Sequence, residues 1–214
     1  MGAGCAVALV DSAGAGGAKT IDGLALEVAS TSATWRSNVG AVMASPLALS
    51  PTASLAMLAG AVLEVSSPFA SVATNGAAGA ALSLNAGALV NVTGGVLTVS
   101  VPTTIDGSVA LADSASSLAV TGVTSCVLGT TGSITGPGPL SLGGDATLSV
   151  PMGATAFSPR LDADGSIVVG SGVDLEIVGG GVSRGRVELG LGATLTLAST
   201  VFDLAPGPPL VPGS

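Results

Sequence analysis

One motif runs through the chain: a glycine or serine, one or two small residues, then aliphatic, variable, aliphatic. It reads Gly60-Ala-Val-Leu-Glu-Val65, Gly79-Ala-Ala-Leu-Ser-Leu84, Gly87-Ala-Leu-Val-Asn-Val92 and Gly94-Gly-Val-Leu-Thr-Val99. It returns as Gly144-Asp-Ala-Thr-Leu-Ser-Val150, Gly172-Val-Asp-Leu-Glu-Ile177 and Gly192-Ala-Thr-Leu-Thr-Leu197. Shorter forms begin at Gly23, Gly107, Ser117, Gly165 and Gly185. The alternation has period 2, so each copy predicts a short strand whose aliphatic positions share one face. The variable slot holds Glu27, Glu64, Ser83, Asn91, Thr98, Ser149, Glu176, Glu188 and Thr196, residue types that belong outside. Glycine ahead of each strand supplies the tight bend or positive φ that closes the preceding one.

The spacing predicts how such strands are covered. Variable slots recur at 64 and 83, 91 and 110, and 149 and 168, each pair 19 apart; 168 and 188, and 176 and 196, are 20 apart. Strands of three to five residues at this period are the coils of a parallel β-helix, or β-solenoid, stacked about 4.8 Å apart. Residues 20–200 would then form about nine coils in a rod about 40 Å long. A β-sandwich or jelly roll is the alternative, since it too places strands every 8–12 residues. The near-absence of interior aromatics and the scarcity of Asn-Gly and Asp-Gly hairpin dipeptides favour the solenoid. The expected organisation is an N-terminal arm or cap at 1–20, atypical first coils with a capping loop at 21–58, the regular solenoid at 59–200 and a Pro-rich tail at 201–214.

Composition narrows the chemistry. Of 214 residues, 13 are acidic and 5 basic, a formal charge of −8, and only 8% are charged, against roughly a quarter in typical soluble domains. So few cations leave no footprint for nucleic-acid phosphates, and no nucleic-acid partner is expected. His and Tyr are absent and aromatics make up 2%. There is thus no imidazole for a triad or a metal site, and neither a cofactor nor catalysis is expected. Cys5 and Cys126 lie far apart, without metal-binding spacing, and read as small hydrophobes. The apolar stretch 39–65 contains Pro46, Pro51 and Glu64, which argues against a membrane span. At the N-terminus no basic stretch precedes the apolar run and Asp11 interrupts it, so no signal peptide is expected.

Asp162-Ala-Asp164-Gly165, with Arg160 two residues earlier, is the main candidate for site chemistry. Two carboxylates two apart on an extended segment are the raw material of a Ca²⁺ site or a glycosidase-type acid pair. Asp-Gly is equally ordinary turn chemistry, and the EF-hand pattern fails at Val173, where a glutamate is required. Arg184-Gly-Arg186 beside Glu188 offers a contact for a partner's acid or a solvated loop. Asn91-Val-Thr93 is a glycosylation sequon, and outward Thr98 and Thr196 hint at an ice-binding face that lacks the required repetition.

The Gly-Ala-Thr-Leu-Thr-Leu run at 192–197 and its relatives resemble the coils of right-handed β-helical surface proteins. Autotransporter adhesin passengers, filamentous haemagglutinin-like exoproteins and viral β-helical spikes and fibres share this pattern. The resemblance covers residues 60–200 and implies structural or adhesive roles at an extracellular or virion surface. Many variable slots hold Ala, Ser, Thr or Val instead of charge, for example Ala110, Ala119 and Val168, and extended uncharged surface marks interfaces. The expectation is a non-enzymatic, self-assembling surface, fibre or virion component that contacts homo-oligomer or lattice neighbours. The alternatives are a secreted adhesin binding a host glycan or receptor, and a carbohydrate-active β-helix enzyme.

Overall fold

The computed structural model describes residues 80–153, 156–198 and 201–204, with 59–65 and the strands outside these ranges. Two strands come first, β1 (Ala6–Leu9) and β2 (Lys19–Ile21). Coils of three strands follow. The first holds β3 (Thr34–Ser37), β4 (Ala41–Met43) and β5 (Leu47–Leu49), and the second β6 (Ser54–Met57), β7 (Val62–Val65) and β8 (Ala70–Thr74). Next are β9 (Ala81–Leu84), β10 (Leu89–Val92) and β11 (Val96–Val99), then β12 (Thr103–Ile105), β13 (Ser108–Leu111) and β14 (Ser117–Val120). They continue as β15 (Ser125–Leu128), β16 (Ser133–Thr135) and β17 (Pro139–Leu142), then β18 (Thr147–Val150), β19 (Ala156–Phe157) and β20 (Arg160–Ala163). The last are β21 (Ser166–Val169), β22 (Asp174–Ile177) and β23 (Gly181–Ser183), then β24 (Val187–Leu189), β25 (Thr194–Leu197) and β26 (Phe202–Leu204), with β27 (Val211–Pro212) beyond.

Every third strand stacks on its equivalent. Sheet A has 10 strands, from β1 and β3 through β6, β9, β12, β15, β18, β21 and β24 to β27. Sheet B has 7, from β2 to β19, and sheet C has 8, from β5 to β26. The two-stranded sheet β22-β25 occupies the sheet B position in the last coils, between a sheet A strand and a sheet C strand. Neighbours pair in parallel throughout the described ladders, for example β12 with β9 and β15. The fold is therefore an all-β parallel solenoid, and the sandwich alternative, which needs antiparallel neighbours, does not hold.

The expected interior is the one that forms. Strand after strand alternates half-covered and buried positions, as in β7, β9, β10 and β11. The buried positions stack into columns such as Leu82, Thr103, Cys126, Leu148, Ile167 and Val187. Leu, Val, Ile and Ala dominate, and Phe157 is the one aromatic in the core among the described residues. Each fully buried Leu or Ile contributes roughly 1.5–3 kcal/mol, while the ladders satisfy the strand N–H and C=O groups on both edges.

Register agrees with the sequence spacing at Asn91–Ala110, Ser149–Val168, Val168–Glu188 and Glu176–Thr196. It departs at Glu64, which stacks on Asn91, 27 residues on, while Ser83 stacks on Ala56. The coil that starts at β6 is longer than its neighbours because its strands are joined by longer connections. Other offsets are 22 residues, where Gly94 meets Ser116, and 25, where Ser108 meets Ser133. Coils this long leave fewer than the about nine expected between residues 20 and 200: sheet A places eight strands there, β3 to β24.

Strands of the expected arm (1–20), first coils (21–58) and tail (201–214) lie in the same ladders, with β1 and β2 starting sheets A and B and β26 and β27 extending C and A. The remainder of the arm, the capping loop and the rest of the tail lie outside the described residues.

Corners carry the strain of the turns. Gly60, Gly87, Gly94, Gly172 and Gly192, each ahead of a motif strand, have positive φ, as does Gly136 at +114°. A Cβ at Gly136 would also strike the Leu111 carbonyl of the neighbouring coil, whereas one at Gly144 meets nothing within 4 Å.

Two outcomes test this packing by chemical denaturation. Leu148→Ala, at a fully buried position of β18, should lose about 2–5 kcal/mol, while Ser149→Ala beside it stays within about 0.5 kcal/mol. Gly136→Ala should cost at least about 1–3 kcal/mol through backbone strain and the carbonyl clash, whereas Gly144→Ala should be neutral or slightly stabilising.

Candidate functional site

The charged candidates among the described residues lie on the outer surface. On β20, Arg160 and Asp162 point outward two residues apart, and Arg160 Nε donates to Asp162 Oδ1 at 3.0 Å. Asp164 stands beyond the end of β20, in the corner leading to sheet A. It accepts from Arg184 Nη1 at 3.1 Å, a residue of the next coil's equivalent corner. Arg186 Nη1 lies 2.9 Å from Glu188 Oε1. The fold thus gives Asp162 and Asp164 each its own arginine. The Asp164 pair is more than half exposed on both sides, so it adds little stability.

Other acids are dispersed. Asp174 opens β22, Asp145 lies in the corner before β18, and Asp106 and Asp113 lie in other corners. No group of three or more metal-ligating side chains occurs among the described residues. Arg184 and Arg186 are engaged within the chain by Asp164 and Glu188.

Asn91 of the sequon is half-covered on β10, and its Nδ2 donates to Glu64 Oε2 at 2.8 Å. Thr98 lies on sheet C and Thr196 on β25, so the two share no face. Cys126 is a free, fully buried thiol whose pKa burial pushes up to about 12, which makes it a core hydrophobe. Cys5 lies outside the described residues. No helix among the described residues is long and apolar enough to cross a membrane.

A polar clasp that the sequence reading did not single out joins two coils. Asp113, in the corner between β13 and β14, accepts at Oδ1 from Ala115 N, Ser116 N and Ser116 Oγ at 2.9, 2.8 and 2.8 Å. Ser116 Oγ in turn accepts from Gly94 N of the preceding coil at 2.9 Å. Its signal is the Asp-x-x-Ser spacing of an Asx-type turn. The hydrogen bond from the Ser116 side chain, helped by backbone N–H donors, holds the Asp113 carboxyl below its usual value of 3.8.

The most extensive feature is a lack of charge. From β8 to β19, no strand of any sheet carries a charged residue. The outer columns of sheet A run Ser83, Thr104, Val127, Ser149 and Val168, with Ser125, Thr147 and Ser166 beside them. Sheet C presents Val96 and Thr98, then Ser117 and Ala119, then Pro139 and Ser141. These half-covered small side chains form uncharged faces.

The Asp113 clasp has a pH signature. A carboxyl whose folded pKa is lowered stabilises the fold above its unfolded pKa and loses that contribution as pH falls through the folded value. Asp113→Ala should therefore lower the denaturation midpoint at neutral pH, with the difference from wild type shrinking as pH falls below the carboxylate range. A midpoint difference independent of pH would contradict the clasp's charge-dependence.

No protein-family model, curated protein or solved structure matches the chain, so its functional reading rests on the solenoid and the character of its surface.

Proposed function

We propose that the chain is a non-enzymatic structural component that associates with further copies of itself through the outer face of sheet A. The supporting observation is the unbroken run of uncharged strands from β8 to β19. Water-exposed surfaces of soluble domains usually intersperse charges of both signs, which keeps them apart. A face built from Ser, Thr, Ala and Val columns loses little on desolvation compared with charged side chains, and its short side chains allow a second identical face to approach closely. Among the described side chains, the cations Arg160, Arg184 and Arg186 are matched by the chain's own acids.

The coil motif's resemblance to β-helical surface proteins supports an extracellular or virion setting, in a fibre, spike or lattice. The pairing of Asp162 with Arg160 and of Asp164 with Arg184 favours this reading over a carbohydrate-active enzyme, whose two carboxyl groups must face one substrate.

Native mass spectrometry and sedimentation across a concentration series test the proposal. The wild-type chain should form homo-oligomers, and Ser149→Glu, placed in the centre of the sheet A face, should weaken association at least tenfold while leaving the β-sheet circular-dichroism signal intact. A monodisperse monomer at high protein concentration would overturn it.

A further inference from the structure

We draw no further inference here: the strongest candidate, the end of the solenoid at β25 and β26, where Leu195, Leu197 and Phe202 of the inner columns are only half covered and Leu204 is exposed, is an apolar face about which nothing in the structure shows what covers it.

Discussion

In-register stacking is the constraint on which the rest of this molecule depends. Each strand residue sits about 4.8 Å from its equivalents in the coils above and below, so any property it has is repeated or opposed at close range. Aliphatic side chains gain from this arrangement, because like shapes pile into continuous columns such as Leu97, Leu118, Leu140 and Leu161. Charges lose, because a carboxylate stacked on a carboxylate is repelled. The described ladders respect this throughout. Glu64 meets Val42 and Asn91, Asp162 meets Ser141 and Val182, and Glu188 meets Val168 and Val211. Opposite charges are brought together along a strand, as in Arg160 and Asp162, or across a corner, as in Asp164 and Arg184.

The corners absorb what the strands cannot vary. Strand length is nearly fixed, while the offset between stacked residues changes from 19 at Asn91–Ala110 to 28 at Ala6–Thr34. That division explains what was legible in the sequence. The period-2 alternation, the glycine punctuation and the recurrence near 20 residues identify strands, faces and the solenoid, and they set Asn91 on Ala110 and Ser149 on Val168. The same reading misplaces Glu64 against Ser83, because neighbouring coils carry nearly identical strand motifs and the longer coil is visible only in its connections. At the candidate site, the spacing of Asp162 and Asp164 could be read directly. Arg160 beside Asp162 could be read too, whereas Arg184 could not, because it reaches Asp164 only once the coils are stacked. The local half of the Asp113 clasp is carried by the Asp-x-x-Ser spacing, whereas its link from Ser116 to Gly94 exists only across coils.

The low charge of the chain follows from the stacking rule inside each molecule and has a consequence outside it. A face that avoids charge to satisfy its own ladders also lacks local charges that would repel a second such face, although the chain as a whole carries −8. Under the proposed assembly, stability of the single rod and self-association have one cause, and a substitution that introduces charge acts on both. The two effects separate by position: Ser149 tests association at the centre of a face, whereas Asn91, bonded to Glu64, tests the ladder itself.

The most direct measurement of the stacking rule compares Asn91→Asp with Asn91→Ala by denaturation across pH. Both remove the amide that donates to Glu64, and only the first sets a carboxylate directly on a carboxylate. The account predicts that Asn91→Asp is the less stable of the two at neutral pH, by about 0.5–1 kcal/mol. The gap should close as pH falls and one of the two carboxyl groups takes up a proton. Equal stability of the two variants at neutral pH, or a gap that persists unchanged into acid, would contradict it.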